Sequence, residues 1–269
     1  MFPDLFSIGF LHVKTYGCCM ALGFFAAWQV LAYLCRLVGR PFEPLGNLVI
    51  SLMVSGVVGS RIAYVIEHWQ TEFAAHPADI IRIDQGGLMF YGGFILAVLV
   101  FAGWCLAKRE RPLALGDLLC VVIPLGHAFG RIGCFFYGCC YGKLSESPVA
   151  VAFPRGSPAW YEHLNAGLIS ASAQQSLPVL PTQLFEAAAN LLLFVALFLF
   201  FRRFRRGTMA LYLVSYALIR FGMEILRGDP RAAVGPFSIS QTISFALLSA
   251  GVLLAWKEWK RPAPSKTRK

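Results

Sequence analysis

Apolar residues along this chain are grouped in long runs that are separated by short polar and basic stretches. A run needs about 20 residues to cross the hydrocarbon core of a bilayer as a helix. Seven runs meet this length, so the pattern predicts an all-α membrane protein, a polytopic bundle of about seven transmembrane helices. The predicted spans are Tyr16–Cys35, Leu45–Ile66, Leu88–Ala107, Ala114–Phe135, Gln183–Phe201, Thr208–Leu226 and Ile239–Lys257.

Composition supports this interpretation. The 269 residues are 57% hydrophobic and only 14% charged, whereas charged residues make up about a quarter of an average soluble domain. A water-soluble protein this apolar would expose hydrophobic surface that its core cannot hold. We therefore expect one integral-membrane domain over residues 1–269, embedded in a lipid bilayer.

The basic residues predict the orientation of the spans. Fifteen of the 24 lysines and arginines lie in alternate loops and at the end of the chain, at residues 36–40, 108–111, 202–206 and 257–269. The positive-inside bias places these segments in the cytoplasm, including a basic tail at about 257–269, and it places the N-terminus outside. Because the basic residues are spread over short loops, nucleic acid is not an expected partner.

One outer segment is much longer than the others. Residues 136–182 carry several prolines and glycines, and they include a short amphipathic stretch at Trp160–Leu168. Long loops of this kind carry function more often than short ones. We therefore predict a larger outer loop region and a site that opens towards the outer side.

Several ionisable residues fall inside the apolar runs. Arg61, Arg131, Arg220, Glu186 and Glu224 all lie within or at the edge of a predicted span. Such residues are costly in a bilayer, by about 3 kcal/mol on insertion scales, and they normally face a partner or a polar cavity. Arg220 and Glu224 are four residues apart, so they share a helix face and can pair, and Arg227 continues this polar stripe one turn further. Arginine–glutamate pairs that lock helices are one interpretation. Three arginines against two carboxylates favour the other, a site for an anionic lipid headgroup.

Six motifs in chain order resemble those of the bacterial prolipoprotein diacylglyceryl transferases. The matching segments are TYGCCMALGF at 15–24, GSRIAYV at 59–65, GGLMFYGG at 86–93, GRIGCFFYGCCYG at 130–142, PTQLFEA at 181–187 and YALIRFGMEILR at 216–227. The resemblance covers nearly the whole chain, and six motifs in order are specific for the family.

The resemblance implies an activity and its partners. The expected reaction moves the diacylglyceryl group of phosphatidylglycerol to the lipobox cysteine thiol of a preprolipoprotein and releases glycerol-1-phosphate, with no cofactor. The expected location is the bacterial plasma (inner) membrane with the active site towards the periplasm, and the expected state is a monomer. The alternative is a diverged relative that binds phospholipid or lipobox peptides, or transfers lipid to another acceptor.

The resemblance also implies roles for individual residues. Arg131 and Arg220 match the family's arginines at phosphatidylglycerol and are the expected catalytic pair. The other positions expected to contact substrate or hold the site's shape are Tyr16, Arg61, Gly133, Cys134, Gly138, Cys139, Gly142, Glu186, Tyr216 and Glu224. Interfacial anchoring is the alternative role for the two tyrosines.

This chain departs from the family's usual pattern at three positions. Tyr91 stands where a histidine is usual, and Cys134 and Cys139 stand where asparagine and glutamate are usual. The general base is therefore open. Tyr91 is expected to donate a hydrogen bond to a phosphate or ester oxygen. His127 is a candidate base, although a histidine inside a span is more often a packed or hydrogen-bonded residue. The third alternative is that the charge of the arginines alone makes the incoming thiol acidic enough.

Eight cysteines complete the set of candidate residues. Five fall in apolar runs, where a free cysteine behaves as a small buried apolar residue. Cys134, Cys139 and Cys140 are interpreted as packed, with a disulfide as the alternative. Their spacing is not that of paired zinc ligands, so the sequence predicts no metal site.

Overall fold

The computed structural model describes residues 4–8, 11–82, 86–231 and 233–260. It consists of helices with two small antiparallel hairpins. The helices are α1 (Thr15–Leu37), α2 (Phe42–Glu67), α3 (Phe90–Lys108), α4 (Pro112–Tyr137), α5 (Pro158–Asn165), α6 (Thr182–Phe204), α7 (Thr208–Leu226) and α8 (Ile239–Trp259). The hairpins pair β1 (Asp4–Ile8) with β2 (Leu11–Lys14) and β3 (Ala233–Val234) with β4 (Phe237–Ser238).

Seven helices among the described residues are long and apolar enough to cross a membrane. They are α1 to α4 and α6 to α8, and each overlaps one predicted span. The prediction of a polytopic all-α membrane protein is therefore confirmed. Five of these helices extend one to three residues beyond the predicted run, whereas α7 has the predicted bounds and α3 begins two residues later than predicted. The orientation of the spans stays a prediction.

The chain forms two compact units. The small unit contains Ala32–Leu115, and the large unit contains the residues up to Leu31 and those from Gly116 onwards. In the small unit, α2 and α3 pack with almost no space between their backbones. A Cβ added at Gly59 would lie 2.5 Å from the Gly92 carbonyl oxygen, and one at Gly93 would lie 2.4 Å from that of Gly56. Small residues permit this close packing of helices in a membrane.

The large unit holds the long predicted loop between α4 and α6. The loop contains the predicted amphipathic stretch as α5, which Ser157 caps by accepting a hydrogen bond from the Trp160 N–H. Phe153 and Val179 are fully buried in a small apolar core under this segment. The loop is therefore a folded part of the unit. Of the predicted basic tail, residues 257–260 are described and 261–269 lie outside the described residues.

Polar side chains also fix the connection between α6 and α7 in the large unit. The Asp117 carboxylate on α4 accepts hydrogen bonds from the backbone N–H groups of Gly207 and Met209, at 3.1 and 2.8 Å. These groups lie at the beginning of α7, where a helix has unpaired N–H groups and favours negative charge. This cap holds α7 against α4, and α7 carries several of the candidate site residues.

Candidate active site

Arg131 joins two helices of the large unit through a buried carboxylate. Its Nη2 lies 3.0 Å from Oε1 of Glu186 on α6, and its Nε donates to Nε2 of His127, one turn earlier on α4, at 3.1 Å. The Glu186 side chain is 1% exposed. A carboxylate so deeply buried requires a nearby cation. Arg131, His127 and Glu186, all candidates from the sequence, therefore form one cluster.

The row of polar residues on α6 continues on both sides of Glu186. Gln183 and Asn190 are fully buried, and their spacing of three and four residues from Glu186 places all three on one helix face. Gln183 Oε1, Glu186 Oε2 and Asn190 Oδ1 are buried without a hydrogen-bond partner. Since buried polar atoms are normally paired, this face has acceptors available for a polar ligand. Neither Gln183 nor Asn190 was predicted as a site residue from the sequence, although their helical spacing from Glu186 was a usable signal.

Arg220 forms the second ion pair, on α7. Its Nη2 donates to Oε2 of Glu224, one turn later, at 2.6 Å, and to Oγ of Ser240 on α8 at 2.8 Å. The predicted pairing of Arg220 with Glu224 is therefore confirmed. Its Nη1 is buried and has no hydrogen-bond partner. An unpaired guanidinium nitrogen in the interior is costly, and it is a natural ligand for an anion.

Arg227 completes the arginine cluster at the end of α7. It forms a bidentate pair with Asp229, with both N–O distances at 2.7 Å. Its side chain is 2% exposed, and its Nη1 is also buried without a hydrogen-bond partner. The sequence placed Arg227 on the same polar stripe as Arg220 but did not select it as a site residue.

The structure shows how the charges inside the spans are satisfied. Of the three arginines counted from the sequence, Arg61 donates to backbone carbonyls, whereas Arg131 and Arg220 each lie beside a carboxylate. Arg227, which was not counted, is paired in the same way with Asp229. What remains available is hydrogen-bonding capacity, since two of the three guanidinium groups that pair with a carboxylate have an unpaired buried nitrogen. An anion that accepts hydrogen bonds would supply the missing partners.

The two candidate tyrosines lie in the same unit as the arginines. The Tyr216 ring is 5.6 Å from the His127 ring, centroid to centroid. Tyr16 packs against α4, where a Cβ added at Gly133 would lie 2.9 Å from Tyr16 Cδ2. Gly133 therefore lets α1 approach α4 closely, as small residues do in membrane bundles.

Glycines shape the loop that follows α4, at residues 138–142, which we call the signature loop. Gly138 has a φ of +82°, which an L-residue rarely adopts, and an added Cβ would lie 2.9 Å from Ser157 Cβ. Gly142 pairs with Arg227 in an antiparallel bridge. A Cβ at Gly142 would lie 2.7 Å from Thr182 Cγ2. The two glycines thus let the signature loop pack against the starts and ends of neighbouring helices.

Three free cysteines come together where α4 ends and this loop begins. The Sγ atoms of Cys134, Cys139 and Cys140 all lie within 4.8 Å of one another. Contacts from the Cys134 and Cys139 thiols, together with the charges of Arg227 and Arg131, lower the pKa of Cys140. The contacts with Cys134 and Cys140 raise the pKa of Cys139. One of the three sulfurs is therefore the preferred position for negative charge.

Arg61 belongs to the small unit, and its environment is different. Its five N–H groups all donate to backbone carbonyl oxygens in the segment that follows α2. The acceptors are Asp79 at 2.7 Å, Ile80 at 2.8 Å, and Arg82, Gly86 and Gly87 at 3.1 Å each. Arg61 lines a polar cavity of about 310 Å³, but it has no N–H group left for a ligand.

Tyr91 also belongs to the small unit. It lies in the first turn of α3, and 43% of its surface is exposed. The expected hydrogen bond from Tyr91 to a substrate oxygen stays a prediction.

The fold and these contacts together define a class: a multi-pass membrane protein whose interior holds arginines paired with acidic side chains. Comparison with known proteins identifies the family. The family model for prolipoprotein diacylglyceryl transferase matches residues 3–257. The chain belongs to this family, as its six motifs indicated.

Individual relatives support this assignment over most of their length. The chain is 34% identical over 250 residues to phosphatidylglycerol–prolipoprotein diacylglyceryl transferase 2 of Clostridium perfringens, covering 91% of this chain and 90% of the relative. It is 33% identical over 271 residues to the phosphatidylglycerol–prolipoprotein diacylglyceryl transferase of Pseudoalteromonas translucida, covering 94% and 92%. It is 30% identical over 286 residues to that of Xylella fastidiosa strain M12, covering 97% and 93%.

Proposed function

We propose that this chain is a transferase of lipoprotein biosynthesis that moves the diacylglyceryl group of phosphatidylglycerol to the lipobox cysteine thiol of preprolipoproteins. Glycerol-1-phosphate is the leaving product. Family membership and the names of relatives that match more than nine-tenths of the chain support this reaction. None of these names favours the alternative of a lipid-binding or peptide-binding protein without this activity.

The observation that carries the proposal is the pair of unpaired nitrogens, Nη1 of Arg220 and Nη1 of Arg227. A phosphodiester presents oxygens that accept strong charge-assisted hydrogen bonds, and arginine binds them better than lysine does. In this proposal the phosphate of phosphatidylglycerol pairs with these two nitrogens. Glu224 and Asp229 hold the guanidinium groups in place through their other nitrogens.

Arg131 has a different role, because Glu186 and His127 already contact two of its nitrogens. Its positive charge stabilises the phosphate oxygen as the carbon–oxygen bond breaks and negative charge grows on the leaving group. His127 accepts a hydrogen bond from Arg131 Nε, so the lone pair that a general base needs is already used. We therefore assign His127 to positioning Arg131 and not to proton transfer.

The polar row on α6 suits the other end of the lipid headgroup. The headgroup glycerol of phosphatidylglycerol carries two hydroxyl groups, which donate hydrogen bonds. Gln183 Oε1, Glu186 Oε2 and Asn190 Oδ1 are buried acceptors without a partner. Binding of the hydroxyls here would favour phosphatidylglycerol over phospholipids whose headgroups lack them.

The remaining candidate residues are assigned to shape. Gly133, Gly138 and Gly142 permit close backbone packing around the signature loop, and Arg61 holds the segment after α2. Tyr16 and Tyr216 line the substrate space. We further propose that the chain acts as a monomer in the bacterial inner membrane, with the site towards the periplasm, as the basic loops indicate.

The test is a transfer assay with purified protein in phosphatidylglycerol vesicles and a synthetic lipobox peptide. The wild type should release glycerol phosphate only when the peptide carries its cysteine. Arg131→Ala should lower the rate by about 10²–10³-fold, the usual cost of removing one transition-state contact. Arg203→Ala is the matched control, since Arg203 is an exposed arginine at the end of α6, and it should keep the wild-type rate.

Two further variants separate the assigned roles. His127→Ala should retain measurable transfer, because a positioning residue is less important than the charge it positions, and Tyr91→Phe should reduce the rate only modestly. Peptide-independent release of glycerol phosphate, or an Arg131→Ala rate equal to that of Arg203→Ala, would contradict the proposed function.

A further inference from the structure

The three clustered thiols have the spacing of a metal site. Sulfur ligands lie about 2.3 Å from a zinc ion, so three of them around one ion are about 4 Å apart. The Sγ atoms of Cys134, Cys139 and Cys140 lie within 4.8 Å of one another. A shift of less than about 1 Å, within reach of side-chain rotation, would place all three at bonding distance.

The backbone holds these cysteines in place before any ligand arrives. Cys140 has a φ of +64°, an uncommon conformation for a residue other than glycine. The Cys139 carbonyl accepts a hydrogen bond from Gln183 Nε2 at 2.8 Å, and the Cys140 carbonyl accepts one from Thr182 Oγ1 at 3.0 Å. Such supporting contacts orient the ligands of a metal, and they reduce the entropy that binding would cost.

Simple packing and a disulfide explain the arrangement less well. A disulfide uses two sulfurs and leaves the third without a function, whereas all three meet at one place here. Three thiolates carry three negative charges, and Arg131 and Arg227 act on this cluster with positive charge. A divalent ion bound to three thiolates leaves one negative charge, which these arginines can balance.

The proposed reaction also needs a group that removes the proton from the lipobox thiol, and this need points to the same three cysteines. The lipobox thiol must lose its proton to attack carbon. Among the described residues of the arginine cluster, Glu186, Glu224, Asp229 and His127 all contact arginine nitrogens. The cysteine cluster offers a route to a thiolate that needs none of these groups as a base, because metal coordination deprotonates a thiol outright.

We propose that Cys134, Cys139 and Cys140 bind a zinc ion and that its open fourth position takes the lipobox cysteine. The inference rests on the proposed transferase function, and it replaces the expectation from sequence that no metal takes part. Zinc sites that act on substrates keep one position open in this way.

The chemistry balances without a further reactant. The lipobox thiol binds zinc and gives up its proton, and the zinc-bound sulfur attacks the glycerol carbon that carries the phosphate. The carbon–sulfur bond forms as the carbon–oxygen bond breaks, and the electron pair of that bond goes to the phosphate oxygen. Glycerol phosphate leaves and takes up one proton. The thioether product is neutral and a weak ligand, so it dissociates and leaves zinc on the three cysteines.

The experiment measures metal and activity on the same samples. Full-length protein with a histidine-free tag is purified in nanodiscs, with and without chelator treatment, and its zinc content is measured by mass spectrometry. Zinc X-ray absorption counts sulfur ligands before and after addition of the lipobox peptide. The variants are Cys134→Ser, Cys139→Ser and Cys140→Ser, and Cys18→Ser is the control, because Cys18 is a half-buried free thiol of the same unit outside the cluster.

We expect one zinc per chain with three sulfur ligands, rising to four when the peptide is added. Each cluster variant should bind zinc at least tenfold more weakly and transfer lipid at least tenfold more slowly, and Cys18→Ser should match the wild type. Circular dichroism shows whether each variant keeps its helices, and cobalt absorption bands report thiolate ligation independently of activity.

Three outcomes would overturn the inference: full activity in zinc-free protein, a disulfide within the cluster of the active protein, or copper(I) bound by three sulfurs with no change on adding peptide. The proposed function fails separately. If zinc gains a fourth sulfur from the peptide and no glycerol phosphate is released, the metal site stands and the transferase proposal does not.

Discussion

Two arginine environments in this protein look alike in sequence and differ in structure. Arg61 and Arg220 each interrupt an apolar run of a predicted span. In the small unit, Arg61 donates all five of its N–H groups to backbone carbonyls. In the large unit, Arg220 binds Glu224 and Ser240 through one nitrogen, and its Nη1 is buried and unpaired.

The difference separates an arginine that holds the fold from one that is ready to bind. A guanidinium whose donors are all satisfied gains nothing from a phosphate, and displacing its carbonyl partners would cost free energy. A guanidinium with an unpaired buried donor has already lost its water and gains a full hydrogen bond when an anion arrives. Burial and charge alone do not distinguish Arg61 from Arg220. The number of N–H groups that already have an acceptor does distinguish them.

The largest expected effect comes from replacing these two arginines by methionine, which keeps the length of the side chain. Arg220→Met should lower the rate of transfer by about 10²–10³-fold, because the contact to phosphate is lost. Arg61→Met should lower the free energy of unfolding by about 3 kcal/mol, because five carbonyls lose their donor. The rate per folded molecule should fall less than about tenfold.

Initial rates in vesicles and thermal unfolding in detergent measure the two quantities on the same preparations. Equal loss of transfer in both variants at equal folded fractions would remove the distinction between the two environments.

A smaller effect should follow from a single methyl group in the signature loop. Gly142→Ala places a Cβ 2.7 Å from Thr182 Cγ2 and 2.8 Å from Leu180 Cβ. The loop must then move away from α6, which disturbs the surroundings of the arginine cluster. The free energy of unfolding should therefore fall by about 1–3 kcal/mol. The melting temperature and the transfer rate should fall with it. Gly222→Ala on α7 is the matched control, since a Cβ there meets nothing within 4 Å. An unchanged Gly142→Ala protein would show that the loop packs less tightly than described.

The smallest effect concerns pH and the folded loop between α4 and α6. Burial lowers the pKa of His163, whose Nδ1 accepts a hydrogen bond from the Leu177 N–H at 3.2 Å. The unfolded chain therefore binds more protons below about pH 6.5, the ordinary pKa of histidine. Stability should be full above that pH and should decrease as the pH falls below it. Unfolding midpoints between pH 5 and 8 should show this slope in the wild type and a shallower one in His163→Gln, and identical slopes would exclude His163 as the cause.

The spans and their polar residues were predictable because the bilayer imposes a simple rule. A membrane helix must be about 20 residues long and apolar, so seven runs gave seven helices. The short helix α5 was also predictable, because the stretch near Trp160 is amphipathic. The two hairpins and the division into two units were not, since they depend on contacts between segments that are distant in the chain.

The arginine cluster was predictable in most of its members and in one of its pairings. The spacing of Arg220 and Glu224 by four residues gives their contact directly. The pairing of Arg131 with Glu186 joins α4 to α6, and nothing local specifies it. For the same reason, the count of three arginines against two carboxylates did not describe the cluster. It included Arg61, which donates to backbone carbonyls in the small unit, and it omitted the pair of Arg227 with Asp229. The meeting of the three thiols depends on the left-handed turn at Gly138 and Cys140, which the sequence does not specify.

The proposed reaction requires the phosphate of phosphatidylglycerol to bind at Arg220 and Arg227. An electron cryo-microscopy structure of the protein in nanodiscs that contain this lipid would locate it. We predict a phosphate oxygen within about 3 Å of Nη1 of Arg220 and of Nη1 of Arg227, at ordinary hydrogen-bond distance. A headgroup bound elsewhere in the protein, with these two nitrogens still lacking a phosphate partner, would contradict the account.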